Sequence, residues 1–101
     1  MTKRKVYELD VGIPLASNGI DTRAINGRDV FEMSQELEQA IGRESVSAGC
    51  GFGFRDMQFN FDSLIAAERA EQIFKGKVKN WGIKYEDGFA YSSVYPLEDE
   101  E

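Results

Sequence analysis

The stretch from Ser45 to Asp62 constrains the fold more than any other, because its apolar residues alternate regularly with small or polar ones. The apolar residues at even positions are Val46, Ala48, Cys50, Phe52 and Phe54. Serine and glycine fill the odd positions between them. A period of two is typical of a β-strand with one apolar face. The sequence therefore predicts a strand at the centre of the fold.

The alternation changes phase after Phe54, since the next apolar residues stand at odd positions. These are Met57, Phe59 and Phe61. A two-residue hairpin loop at Arg55-Asp56 accounts for the change, and it pairs Phe54 with Met57, Phe52 with Phe59, and Cys50 with Phe61. A bulge in one long strand is the alternative, because Arg-Asp suits a turn with positive φ poorly. In the hairpin, the sole cysteine, Cys50, is a buried core residue facing Phe61.

Length and composition predict one α+β domain over residues 1–101, with 1–4 and 97–101 as disordered tails. Hydrophobic residues make up 42% of the 101 residues, which is enough for a core. No apolar run approaches the ~20 residues of a membrane span, and no apolar segment follows the basic N-terminus. We therefore expect a cytoplasmic protein without membrane contact.

The net charge of −6, from 18 acidic and 12 basic residues, argues against nucleic acid as a ligand. Affinity for nucleic acid depends largely on phosphate neutralisation by Lys and Arg. We therefore expect no direct binding of DNA or RNA.

The N-terminal third begins with alternating residues from Lys5 to Ile13, which predict a half-buried strand ending at Pro14. Residues 14–26 then form a long loop with a turn signal at 17–19. Loops of this length are uncommon in small domains and are often functional. The alternative is a surface excursion held by apolar side chains.

A first helix is predicted to run to about Ile41, with Asn26 as N-cap, Asp29 in the first turn and Gly42 as a left-handed C-cap. Its predicted buried stripe is Val30, Met33, Leu37, Ala40 and Ile41.

The other face of this helix is acidic, with no Lys or Arg between Arg28 and Arg43. It also carries Phe31, which lies off the buried stripe. The residues predicted to bind a partner are Phe31, Glu32, Gln35, Glu36, Glu38 and Gln39. Such a face favours a larger protein with a basic surface as partner. The alternative is a merely solvated helix face.

A second helix is predicted from a cap at Asp62 or Ser63 to Lys75, closed by Gly76. Residues 77–95 then read as two strands around a loop at 86–88. The element order β-α-β-β-α-β-β resembles the ferredoxin-like arrangement. In that arrangement a split β-α-β antiparallel sheet carries two helices on one face, and here a C-terminal hairpin strand is added.

The sequence offers no catalytic constellation, metal site or cofactor motif. It has no histidine, which excludes His-dependent triads and His metal ligands. The glycines at 49, 51 and 53 alternate within a strand, unlike those of a phosphate-binding loop. Glu8 and Asp10 share a strand face with Gln58 and Asn60, and we expect no apolar wall there that would raise a pKa.

In size, charge and lack of catalytic motifs the chain resembles the small phage-encoded inhibitors of bacterial defence, anti-CRISPR proteins among them. That resemblance implies a non-enzymatic inhibitor that occupies a nucleic-acid-binding surface on a larger protein. The alternative is a small-molecule-binding regulatory domain acting as a homodimer. It would hold a ligand on the glycine-lined sheet face or in the loop at 14–26.

Overall fold

The computed structural model of the protein describes residues 5–16, 23–51, 53–85 and 90–98. These residues form four strands and two helices. They are β1 (Lys5–Pro14), α1 (Val30–Ile41), β2 (Ser47–Gly51), β3 (Phe54–Phe61), α2 (Leu64–Asn80) and β4 (Tyr91–Glu98). The strands form one antiparallel sheet in the order β2-β3-β1-β4. The predicted α+β class is therefore confirmed.

The core lies on one side of the sheet, where the odd-numbered residues of β1 and β3 face both helices. In register, Leu9 pairs with Phe59 and Val11 pairs with Met57, and all four are fully buried. The helices complete the core with Val30, Met33 and Leu37 from α1 and Ala67, Ala70, Phe74 and Val78 from α2. Among the residues that the structure describes, one face of the sheet is thus covered by helices and the other is not.

The central hairpin exists, but the predicted turn at Arg55-Asp56 is wrong. β2 ends at Gly51 and β3 begins at Phe54, so both Arg55 and Asp56 lie inside β3. Gly53 adopts φ 83°, the left-handed conformation that glycine reaches without strain. Neither Arg nor Asp offers that freedom, so the chain turns at the glycine. The predicted pairing of Phe52 with Phe59 lies outside the described residues.

The predicted burial of Cys50 against Phe61 is also wrong. Cys50 pairs with Arg55 at the edge of the sheet, and its side chain is exposed. The turn lies three residues earlier than predicted, which shifts the register and places Cys50 beyond the reach of the helices.

Helix α1 ends as predicted but begins later than predicted. Gly42 adopts φ 88° and its N–H donates to the Glu38 carbonyl, which confirms the C-cap. The N-cap is Asp29, whose carboxylate accepts from the Phe31 N–H at 2.9 Å. The predicted cap Asn26 instead forms a local turn with the Arg28 N–H. Ala40, predicted to be buried, is exposed.

Helix α2 begins at the predicted cap Ser63 but continues through Gly76 to Asn80. Val78 and Trp81 are buried at helical spacing after Phe74, so core packing outweighs the helix-breaking tendency of glycine. The predicted strand at 77–85 is therefore wrong. Within the described residues, the second strand of the predicted C-terminal hairpin is present as β4, whereas Tyr85 forms only an isolated bridge to Ala90.

Strand β4 extends further than predicted, because Leu97 pairs with Val6 rather than belonging to a tail. Pro96 lies within this strand, where the edge position tolerates its missing N–H. The predicted tail at 1–4, the last three residues of the predicted tail at 97–101, and the loop at 86–88 lie outside the described residues.

The long loop after β1 folds back on itself where it is described. The Ala16 N–H donates to the Arg23 carbonyl at 2.9 Å, and Leu15 bridges Ala24. Leu15 is buried whereas Ile25 is half exposed. The predicted turn at 17–19 lies outside the described residues.

Candidate functional site

The uncovered face of the sheet, called the open face below, carries the most distinctive chemistry of the described residues. Directly paired residues in a sheet point to the same side, so the register defines its members. They are Val6, Glu8, Asp10, Gly12 and Pro14 on β1, Ser47, Gly49 and Gly51 on β2, Phe54, Asp56, Gln58 and Asn60 on β3, and Tyr91, Ser93, Tyr95 and Leu97 on β4. None of these residues is Lys or Arg.

Tyr95 joins the two carboxylates of β1. Its hydroxyl lies 2.7 Å from Asp10 Oδ2 and also contacts Glu8 Oε2. A hydroxyl has one hydrogen, so it donates to one carboxylate at a time. The contact of the Tyr95 oxygen with the other carboxyl group is favourable only when that carboxyl group is itself protonated.

Asp10 is the carboxyl group that holds this proton most readily. Its pKa is raised to about 6, first by burial and then by the neighbouring Glu8, while the Tyr95 hydroxyl acts in the opposite direction. Our expectation that no pKa would be raised on this face is therefore wrong. The packed strands and Tyr95 remove enough water to disfavour the ionised form.

Tyr91 organises the other end of the open face. Its hydroxyl donates to Asp56 Oδ1, and its ring packs edge-on against Phe54 with centroids 5.3 Å apart. The ring also covers Gly12, where a Cβ atom would lie 2.0 Å from Tyr91 Cε2. Glycine at position 12 therefore allows the aromatic ring to reach Asp56.

The open face has acceptor oxygens that receive no hydrogen bond. Asp10 Oδ1 and Asn60 Oδ1 are enclosed without a partner in the structure. Three carboxylates share the face with no cationic neighbour among its members. The uncompensated charge of these carboxylates therefore suits the face to a group that brings both positive charge and N–H donors.

The α1 residues predicted to bind a partner are partly used inside the molecule. Arg28 Nη2 lies 3.0 Å from Glu32 Oε1 and also bonds Glu36, whose other oxygen accepts from Trp81 Nε1 at 3.2 Å. The Arg28 contact lowers the pKa of Glu36. Arg28, one turn before Glu32 and two turns before Glu36, thus compensates part of the acidic charge of this face.

Two further α1 residues of the predicted set also have internal partners. Glu38 accepts from the Ser45 N–H and hydroxyl, each at 2.9 Å. Phe31 is 42% exposed, but the Arg55 guanidinium lies 4.9 Å from its ring centroid. Gln35 and Gln39 are exposed. The α1 surface is therefore less acidic and less apolar than predicted.

Two open depressions lie beside the C-terminal end of α1 rather than on the open face. The larger measures about 390 Å³ and is lined by Gln35, Glu38, Gln39, Gly42, Arg43 and Glu44. The second, of about 290 Å³, lies between Ile41 and α2.

Within the described residues, no group of three or more potential ligands could hold a metal ion. Neither described helix is long and apolar enough to cross a membrane.

Sequence reasoning identified the β1 carboxylates and their polar neighbours on β3 but missed the tyrosines. Tyr91 and Tyr95 alternate with Ser93, which signals that the three share a face. The pairing of β4 with β1 has no equally clear signal, because the contacting residues lie more than 80 positions apart in the sequence.

Comparison of the chain with protein-family models, with curated proteins and with solved structures found no match in any of the three.

Proposed function

We propose that this protein is a non-enzymatic acidic module that binds a basic surface of a larger protein through its open face. The observation that carries the proposal is the convergence of Glu8, Asp10 and Asp56 on a sheet face whose described residues include no lysine or arginine. Charges of one sign on a flat face steer a partner of the opposite sign and select against wrong partners.

The tyrosines of the open face add contact area to this charge. Tyr91 is 38% exposed, and its ring is held by Phe54 and by the Asp56 carboxylate. Tyrosine is enriched at protein interfaces because a rigid ring gives apolar contact while its hydroxyl bonds a polar group. Lysine or arginine of a partner would bond the carboxylates beside these rings.

The α1 surface is the second candidate for contact. Phe31, Glu32, Gln35 and Gln39 remain exposed. Because Arg28 already pairs with Glu32 and Glu36, we place α1 after the open face in expected importance.

A basic protein surface that binds nucleic acid is the partner that fits this chemistry best. An acidic face occupying that surface would compete with phosphate groups and so inhibit the larger protein. This is the mode of action implied by the resemblance to phage-encoded inhibitors of bacterial defence.

We also infer that the fold is ferredoxin-like. Support comes from the order β2-β3-β1-β4, the antiparallel pairing of all neighbours, and a single core shared by both helices. The predicted additional C-terminal strand is not part of this inference.

Affinity capture from bacterial lysate tests the proposed binding surface. Wild-type protein is compared with the triple variant E8Q/D10N/D56N and with E32Q/E38Q as a control for charge loss on α1. We expect the triple variant to lose a basic partner that wild type and control retain. The captured partner is then assayed for nucleic-acid binding, which wild-type protein should inhibit.

Equal retention of the partner by all three proteins would contradict binding through the open face. Selective loss with E32Q/E38Q would instead assign binding to α1. Circular dichroism of each variant establishes that lost binding does not reflect lost folding.

A further inference from the structure

The two edges of the sheet differ in how they are protected against pairing with another strand. An exposed edge presents backbone N–H and C=O groups to any incoming strand, and proteins usually block it with charges or proline. Strand β4 contains Pro96 and ends at Glu98. Strand β2, Ser47–Gly51, contains neither a charged residue nor a proline. Its outer side pairs with no described strand.

Exposed apolar side chains accompany the unprotected edge. Val46, which precedes β2, is 61% exposed, and both Ala48 and Cys50 are exposed. Ala48 pairs with buried Met57, so these side chains lie on the helix side of the sheet but beyond the helices. A strand added at this edge would cover them.

We propose that β2 pairs antiparallel with β2 of a second copy of this chain, forming a dimer with a continuous eight-stranded sheet. Two-fold symmetry places the strand against itself in reverse direction. Full overlap of the five residues centres the pairing on Gly49 and sets Ala48 opposite Cys50 of the second copy. A neutral strand thereby meets a neutral strand.

Charge separation explains why β2 and not β4 accepts the second copy. Copies with a net charge of −6 repel, so the acidic residues must stay apart. Pairing through β2 separates the two β1 strands by five strand spacings, about 24 Å, and the two β3 strands by about 14 Å. Both distances exceed the screening length of roughly 8 Å at physiological salt.

Pairing through β4 would be less favourable on two counts. It would bring two carboxylates of each β1 strand, Glu8 and Asp10, to about 14 Å, whereas pairing through β2 brings only Asp56 of each β3 strand that close. Pro96 would also deprive the ladder of a donor. Pairing through β2 leaves the open faces uncovered and joins them in one surface. The dimer is therefore compatible with the proposed binding function and does not depend on it.

Sedimentation velocity from micromolar to millimolar concentration tests the dimer. Wild-type protein should show a concentration-dependent dimer. Ala48→Lys places like charges near the two-fold axis at an exposed site, so we expect its dimer dissociation constant to rise about tenfold or more. Ser93→Lys makes the same charge change at the exposed β4 edge and should leave the dimer intact.

Monomeric wild-type protein at all concentrations would overturn the proposal. So would a dimer that Ser93→Lys weakens and Ala48→Lys does not. Cross-linking adds a covalent measurement, because Cys50 of each copy lies diagonally across the axis at roughly 7–8 Å. A bismaleimide of that length should join wild-type copies, but not Ala48→Lys copies. Equal cross-linking of both proteins, or of neither, would contradict the pairing.

Discussion

The two faces of the sheet are built from alternate residues of the same strands, yet their interactions are opposite in kind. On the covered face, Phe59 and Leu9 are fully buried and belong to one apolar core. On the open face, their neighbours Asn60 and Asp10 hold acceptor oxygens without partners. Because successive residues of a strand point to opposite faces, the apolar residues of the covered face stabilise the fold and the residues of the open face can carry charge.

The largest expected effect comes from truncating a residue of the covered face. Phe59→Ala should lower the free energy of unfolding by about 3–5 kcal/mol, because it removes a buried ring and leaves a cavity. Gln58→Ala, one residue earlier on the open face, should cost less than about 0.5 kcal/mol. Urea denaturation measures both changes. Similar losses for the two variants would mean that the open face is not separate from the core.

A smaller effect is expected where the open face is itself tightly packed. Gly12→Ala should destabilise the protein by about 1–3 kcal/mol, because the new methyl group overlaps the Tyr91 ring. Gly49→Ala is the matched control, since a Cβ there meets nothing within 4 Å. Thermal denaturation compares the two. A neutral Gly12→Ala would show that Tyr91 does not rest on this glycine.

The pH dependence of stability should report the raised pKa of Asp10 on the open face. Because the pKa of Asp10 is raised to about 6 in the folded protein, the folded state binds its proton more tightly than the unfolded chain. This contribution is present below the ordinary pKa of 3.8 and is lost as the pH rises through 6. A shift of this size corresponds to roughly 3 kcal/mol, which solvent screening reduces to about 1 kcal/mol.

Asp10→Asn should therefore stabilise the protein at pH 8 and have little effect at pH 4. The melting temperature at pH 8 should rise by about 4 °C. Scanning calorimetry at the two pH values measures this difference. An equal change at both pH values would show that ionisation of Asp10 is not the cause.

The smallest effect is expected on the α1 surface. Glu32→Gln weakens one exposed ion pair with Arg28, which should cost only about 0.3 kcal/mol. Urea denaturation at low and high salt checks this value. A loss above 1 kcal/mol would show that the α1 surface is part of the structural framework.

The predictable parts of the fold are those set by local pattern. The parity of Leu9, Val11, Met57 and Phe59 identified the covered face, and Gly42 marked the end of α1. The errors arose where tertiary packing or turn chemistry outweighed the pattern. Burial of Val78 carried α2 through a glycine, and Gly53 fixed the turn that the phase change placed at Arg55-Asp56.

Only the β1 and β3 residues of the candidate site could be predicted from the sequence. Glu8 and Asp10 could be placed beside Gln58 and Asn60 from the strand patterns alone. Their contact with Tyr95 depends on the pairing of β1 with β4, residues separated by more than 80 positions. Such a register is set by the whole fold and has no local signal.

An NMR titration with an oligolysine peptide tests the central claim most directly, because it maps which surface meets a polycation. Amide signals of β1, β3 and β4 around Asp10, Asp56 and Tyr95 should shift at low salt, and the shifts should diminish at high salt. The variant E8Q/D10N/D56N should show much smaller shifts. Shifts confined to α1, or equal shifts in the variant, would contradict the assignment of the open face as the binding surface.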